Sequence, residues 1–331
     1  MTSVFSIISS LLRAATIPLL TMECSDIVFL DLFSGAGGFP LGFMEAGFSF
    51  RTHYFSEIDK YAIANYHYNF KYARYAGTVE KIKARSIQRP DIVTFGFPCQ
   101  DLSLAGKRHG LNGERSGLFF EALRIITEYK PRVFVFENVK GIFSSNNGKD
   151  FEIILKAIAD SGLYECEWQL LNTAWFLPQH RHRIYFIGHL RGASRPKVFP
   201  FKEDDFPPPP RRAVQVAGTL MASGGQLTNM DNYVVDSLRT HGNARKLTPL
   251  EYERLQGFPD NWTRFGVENG ERLQLSDTQR YQLMGNAVSV PVVKAIAERL
   301  RVGDKVSPTV ERVALNLEAL ELELELFGLD F

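Results

Sequence analysis

The chain reads as an α/β protein built on a doubly wound sheet, and three observations carry that expectation. Short apolar runs of strand length alternate with longer helical stretches. The first run ends in a glycine-rich turn, Gly35-Ala36-Gly37-Gly38. The residues best suited to chemistry fall just past the ends of the runs, where sheets of this class bind ligands.

Ile27–Phe33 is a run of buried type, followed by the glycine turn and an amphipathic stretch to about Gly47. A strand over Phe50–Ser56 precedes a helix starting near Lys60, and Ile92–Phe95 is the next strand. A helix over Ser116–Tyr129 leads to a strand at Val133–Phe136, and a helix over Phe151–Asp160 leads to strands at Cys166–Leu171 and Arg183–Ile187. This order places Gly35, Glu57, Cys99 and Glu137 on one rim of the sheet.

With 331 residues, 45% of them hydrophobic, the chain can bury a large core and form one large domain with a smaller one. The net charge of +1 hides an uneven distribution: residues 189–246 carry nine Lys/Arg against five Asp/Glu, and residues 301–331 three against seven. A basic middle and an acidic tail therefore cancel. Three cysteines, Cys24, Cys99 and Cys166, make no disulfide framework and no CxxC zinc pair, so no metal is expected and a reducing cytoplasm is the natural compartment. Val4–Leu20 is apolar but is interrupted by Arg13 and lacks a charged leader, which favours an upstream start or dispensable extension over a membrane span.

Cys99 sits in Gly96-Phe97-Pro98-Cys99-Gln100, a glycine-bounded loop delivered by a strand. A thiolate there is a nucleophile once a charged partner stands beside it. The glycine turn lets backbone approach a ligand, but its GxGG spacing disfavours pyrophosphate; a tight structural turn explains it equally well. Glu57, at the end of the second strand, can accept from two ribose hydroxyls. Glu137 is either an acid near the thiol or a salt-bridged structural group. In Gln179-His180-Arg181-His182-Arg183, strand geometry turns Gln179, Arg181 and Arg183 to one side and both histidines to the other. One side could hold an anion, or the whole could be a solvated basic edge.

These pieces together resemble the cytosine C5 DNA methyltransferase family of the restriction–modification type. The motifs appear in order: Asp31-Leu32-Phe33-Ser34-Gly35-Ala36-Gly37-Gly38, Pro98-Cys99-Gln100, Glu137-Asn138-Val139, Gln179-His180-Arg181-His182-Arg183, Arg245-Lys246-Leu247-Thr248-Pro249, Arg254-Leu255-Gln256-Gly257-Phe258-Pro259 and Gly285-Asn286-Ala287-Val288. The resemblance spans residues 26–300 and implies a Rossmann-like methyltransferase sheet with S-adenosylmethionine as methyl donor. It makes Cys99 the nucleophile for C6 of a flipped cytosine, Glu137 the acid that holds N3 and the exocyclic amine, and Arg183 an orienting cation supported by Arg181 and Gln179. It assigns the cofactor to Phe33, Gly35, Gly37, Glu57, Thr78, Pro98, Asn286 and Val288, and DNA contact to Lys107, Arg108, Thr219 and Arg245.

Two departures stand out. Thr78 occupies a position where the family commonly has aspartate, which implies looser cofactor binding. The variable region that reads the target is reduced to about Arg191–Val216, with four prolines at 207–210, which implies a relaxed or very short recognition site. The expected organisation is an extension at 1–22, a catalytic domain at 23–188, a small target-recognition region at 189–274, a return to the catalytic domain at 275–300, and an acidic Leu/Glu-rich tail at 301–331. Duplex DNA is the implied partner of a monomer free of membrane, and the resemblance leaves room for a cognate restriction endonuclease. Two other functions stay open: methylation of RNA, and a non-catalytic DNA-binding module of the same fold.

Overall fold

The computed structural model describes residues 26–98, 117–193, 195–206, 217–222, 233–235 and 244–302. The expectations placed on residues 1–22, Cys99, Lys107, Arg108, the prolines at 207–210 and the acidic tail lie outside the described residues. The sheet is formed by β1 (Ile27–Leu32), β2 (Phe50–Ser56), β3 (Arg74–Tyr75), β4 (Ile92–Phe95), β5 (Val133–Val139), β6 (Tyr164–Asn172) and β7 (His182–Leu190). The helices between them are α1 (Gly38–Glu45), α2 (Lys60–Asn69), α3 (Gly117–Tyr129) and α4 (Lys149–Asp160). Further along come β8 (Tyr233–Val235), β9 (Ala244–Lys246), α5 (Pro249–Gln256), the hairpin β10 (Phe265–Glu268) and β11 (Glu271–Gln274), α6 (Asp277–Asn286) and α7 (Val290–Val302).

The strand order is β3-β2-β1-β4-β5-β7-β6. β1 to β5 run parallel, and β7 is antiparallel to both β5 and β6. β1 shows why the sheet is covered on both faces, because every residue in it is buried. Val28, Leu30 and Leu32 join Phe119 and Ile125 of α3 and Ile154 of α4 in one core cluster. The intervening Phe29 packs edge-on against Phe43 of α1, with ring centroids 5.3 Å apart. An apolar strand with both parities buried requires a helix layer on each side.

The strand order reverses between β1 and β4, so the glycine turn after β1 and the Gly96-Phe97-Pro98 segment after β4 flank the crevice at the switch point. Glu137, expected just past its strand, lies within β5. The parallel pairing with β4 ends at Phe95↔Phe136, but the reversed β7 pairs onward to Val139↔Arg183. Sequence periodicity finds a strand but not the direction of its neighbour, and the reversed neighbour carries the strand farther.

The C-terminal helices begin at clear signals. Thr248 and Glu251 form a capping box for α5, and Ser276 and Gln279 form one for α6. The 195–206 segment runs along the edge strand β6. The amides of Val198 and Phe199 donate to Glu167, that of Phe201 donates to Gln169, and Arg299 of α7 donates to the Val198 and Pro200 carbonyls. Among the described residues, no helix is long and apolar enough to cross a membrane.

Candidate active site

Phe33, Gly35 and Gly37 all take positive φ, at 52°, 51° and 78°. This is the left-handed region that favours glycine, and it curls the chain back over the end of β2. Ser34 N donates to Ser56 O at 3.1 Å, and Gly35 N donates to Glu57 Oε2 at 2.8 Å. Glu57 Oε1 accepts from Ile58 N at 2.7 Å and Asp59 N at 3.0 Å. Three main-chain amides thus fix the carboxylate of Glu57. A Cβ placed on Gly35 would meet nothing within 4 Å, so space lies open beside the turn. Phe33 is half-buried and Ile58 is 78% exposed, which leaves apolar surface next to that carboxylate. Ser56 Oγ donates to Gly77 O at 2.7 Å and sets the segment leading into the half-buried Thr78. This set of groups (a held carboxylate, open space over glycine, adjacent apolar side chains) fits an adenosine-type ligand.

On the other side of the switch point, Asn138 Nδ2 donates to Phe97 O at 3.4 Å, just before the exposed Pro98. The Glu137 carboxylate reaches the same segment: Oε2 lies 3.6 Å from where a Cβ on Gly96 would be. Arg183 Nε pairs with Glu137 Oε1 at 2.7 Å, with the two side chains 14% and 12% exposed. The reversal of β7 creates this contact, because Val139 and Arg183 are paired residues.

Gln179 and Arg181 turn away from the rim into a buried seam. Gln179 Nε2 donates to Leu255 O at 2.6 Å. Arg181 donates to the carbonyls of Leu220 at 3.1 Å, Gly285 at 3.0 Å and Ala287 at 2.9 Å. Burial, with Arg183 nearby, pulls its guanidinium down to about 9. The seam continues through Gln256, which donates to Met284 O and Ala287 O and accepts from Ser289 Oγ at 2.8 Å; the Ser289 and Thr173 hydroxyls lie 2.7 Å apart. Asn286 is exposed at the end of α6, and Val288 is buried against the head of α1, its Cγ2 being 2.7 Å from a Cβ built on Gly38. Thr219 Oγ1 donates to His180 O at 2.8 Å. Arg245 forms two hydrogen bonds to Glu251, at 2.8 and 2.7 Å. A groove between Trp168 and the Arg195–Pro200 segment contains none of these residues.

Several supporting residues escaped the sequence reading. Asp31, fully buried beneath the glycine turn, accepts from Thr94 Oγ1 at 2.7 Å and Tyr66 OH at 3.1 Å, and His53 Nε2 lies 2.7 Å from the same Tyr66 hydroxyl. Burial pushes the Asp31 carboxyl well above its ordinary range and the His53 imidazole down to about 3. The signal was present: an acid inside an otherwise apolar strand needs buried partners. Trp262 Nε1 donates to Ala36 O at 2.8 Å and ties the turn to a segment more than two hundred residues away, a contact no local pattern announces.

A model of the C-5 cytosine-specific DNA methylase family matches residues 27–238 and 212–301. The Type II methyltransferase M1.ScrFI of Lactococcus lactis subsp. cremoris is 32% identical over 338 residues, covering 88% of this chain and 83% of that protein. The Type II methyltransferase M.NlaX of Neisseria lactamica is 32% identical over 316 residues, covering 82% of this chain and 95% of its own. Among solved structures, the Entamoeba histolytica methyltransferase EhMeth superposes with a TM-score of 0.64 at 19% identity, over 83% of this chain and 98% of that one, a likeness of fold.

Proposed function

The chain belongs to the C-5 cytosine-specific DNA methylase family and is a DNA cytosine-5 methyltransferase; from that premise we propose that it methylates C5 of a flipped cytosine in duplex DNA through a covalent Cys99 adduct, with S-adenosylmethionine as donor. The observation that carries this reading is the Arg183–Glu137 pair at 2.7 Å, beside the segment that leads into Cys99.

Cytosine C5 is a weak nucleophile. Addition of the Cys99 thiolate to C6 forms a C–S bond and moves electron density onto C5 and N3. Glu137 holds the proton at N3 and accepts from the exocyclic amine, while Arg183 fixes that carboxyl and offsets charge developing on the base. S-adenosylmethionine, when bound, supplies an electrophilic methyl group. C5 would take up that methyl, the electron pair of the broken methyl–sulfur bond staying on the donor. C5 then gives its proton to water as its ring electrons reform the double bond, the C6–S bond breaks and the Cys99 thiolate leaves. Glu57, Gly35, Gly37, Phe33, Thr78, Pro98, Asn286 and Val288 would hold the donor; Gln179 and Arg181 support the strand that carries Arg183. A base stacked in duplex DNA is out of reach, so the target must be flipped, with Lys107, Arg108, Thr219 and Arg245 as DNA contacts. Residues 23–188 with 275–300 form the methyl-transfer domain in this reading, residues 189–274 read the target, and the enzyme acts as a monomer, with room for a cognate restriction endonuclease.

The test is transfer of labelled methyl from S-adenosylmethionine to duplex DNA, run beside Cys99→Ala and Glu137→Gln. The wild type should label DNA, Cys99→Ala should lose all detectable transfer, and Glu137→Gln should fall by about a hundredfold or more. Full activity in Cys99→Ala would overturn the covalent mechanism, and label appearing only in RNA would overturn the substrate.

A further inference from the structure

The motif that delivers Arg183 to the rim also delivers two histidines, and the proposed chemistry uses neither. Gln179, Arg181 and Arg183 point inward, so His180 and His182 point outward and are exposed. His182 is the first residue of β7, paired with Asn172 of β6. On its other side, the β5–β7 register ends at Val139↔Arg183, so the next residue along, Lys140, stands beside His182. Lys140 is exposed and opens a short turn over Lys140–Phe143. Three cationic or protonatable side chains therefore stand together at the ends of the two strands that carry Glu137 and Arg183, on the other side of the chain from that pair.

The backbone under them is fixed. His180 N donates to Ala217 O at 2.8 Å, His180 O accepts from Thr219 Oγ1 at 2.8 Å, and His182 O accepts from Arg183 Nη1 at 2.9 Å. Among the described residues, no carboxylate pairs with Lys140, His180 or His182, and the nearby Glu137 is engaged by Arg183. A lysine with two protonatable imidazoles on a fixed backbone at an open rim, with no carboxylate among the described residues paired to them, is arranged to receive an anion.

We propose that Lys140, His180 and His182 form a binding site for backbone phosphates of duplex DNA, on the outward side of the strand ends that carry Glu137 and Arg183. The proposal rests on the functional reading above and names a contact it does not include. Such contacts fix the position of a duplex without reading its sequence. They suit a chain whose region for target reading is short.

The site should also respond to pH. The charged groups facing His182 are Lys140 from the end of β5 and His180 and Arg183 from its own segment; Asn172 of β6 is neutral. Partial burial and those cations lower the His182 imidazole below its ordinary value of 6.5. Neutral in the free protein near pH 7, it gains a proton when a phosphate arrives, so binding takes up protons and strengthens as pH falls.

The experiment measures affinity of the full chain for sheared duplex DNA across a salt series, at about pH 8 and about pH 6. The comparison is between the wild type and the triple variant Lys140→Gln, His180→Gln, His182→Gln. Each phosphate neutralised steepens the dependence of log affinity on log salt by roughly 0.9. The triple variant should lose about one unit of slope at the higher pH, from Lys140, and about two units at the lower, where the proton that His182 takes up on phosphate binding adds to the contact. If the triple variant fails to fold, Lys140→Gln alone should lose about one unit at the higher pH. A wild type that methylates DNA while the variants keep its slope at both pH values overturns the phosphate site and leaves the functional reading standing. A wild type that neither binds nor methylates duplex DNA overturns both.

Discussion

Arg181 and Arg183 come from one motif and emerge on the same side of the chain, yet the molecule treats them differently. Arg181 is 2% exposed, and its guanidinium donates to three main-chain carbonyls, from Leu220, Gly285 and Ala287, with no carboxylate among the described residues in hydrogen-bonding reach. Arg183 lies two residues nearer the centre of β7 and meets a carboxylate at the rim. The first binds the segment at 217–222 and the α6–α7 junction to the sheet, and the second pairs with Glu137 at the rim, where the proposed mechanism sets it against the base. Adjacent copies of the same side chain can thus divide architecture from chemistry, and the environment of each, rather than its residue type, decides which.

The sharpest way to break this comparison is to truncate each arginine in turn. Arg181→Ala removes the guanidinium donor from the Leu220, Gly285 and Ala287 carbonyls and leaves Ala287 O with Gln256 Nε2, and losses of this kind reach about 3–5 kcal/mol. In a protein of this size that lowers the melting temperature by roughly 6 °C or more. Arg183→Ala should lower it far less, because water reaches the rim, while methyl transfer falls by about a hundredfold or more. Thermal denaturation and labelled-methyl transfer, measured on both variants, decide the matter. If Arg181→Ala melts like the wild type, or Arg183→Ala keeps its activity, the division of labour is wrong.

A smaller perturbation tests the seam without touching a charge. A Cβ on Gly285 would lie 2.2 Å from Ala222 N and 2.4 Å from Ala222 Cα. Both are main-chain atoms, so no side chain can swing aside. Gly285→Ala should cost about 1–3 kcal/mol by overpacking. Because the same segment carries Leu220 O to Arg181, the variant should also be less than additive with Arg181→Ala in a double-mutant cycle. Full additivity would mean that the two contacts do not share one structure.

The same contrast explains how much could be read in advance. Six of the seven strands of the sheet were legible, most of them as apolar runs bounded by glycine, proline or polar residues, and Ile92–Phe95 and Phe50–Ser56 match to the residue; the two-residue β3, Arg74–Tyr75, has both residues exposed and was not read. The candidate site was legible as residue types at strand ends. Alternation along 179–183 also separated inward from outward side chains correctly. The partners were not legible. Asp31 meets Tyr66 and Thr94, and Arg181 meets carbonyls more than a hundred residues away, through tertiary closure. The direction of β7 was also hidden, since period-two alternation is the same for parallel and antiparallel strands, and that direction is what sets Arg183 against Glu137.

The smallest predicted effect concerns the other half of the rim, where Thr78 stands in place of an acid. Thr78 precedes the short turn Val79–Lys81, and its side chain makes no capping hydrogen bond there. An aspartate at this position has two possible partners. If residue 78 faces the adenine amino group, Thr78→Asp adds a charged acceptor and should tighten S-adenosylmethionine binding by about three- to tenfold, within the range of one charge-assisted hydrogen bond. If it faces the turn instead, the carboxylate caps the Val79–Lys81 amides and raises stability by about 1 kcal/mol, leaving affinity unchanged. Calorimetric titration with the donor and a melting curve on the same preparation separate the two. Tighter binding at constant melting temperature assigns Thr78 to the cofactor pocket; a higher melting temperature at constant affinity assigns it to the scaffold, alongside Arg181.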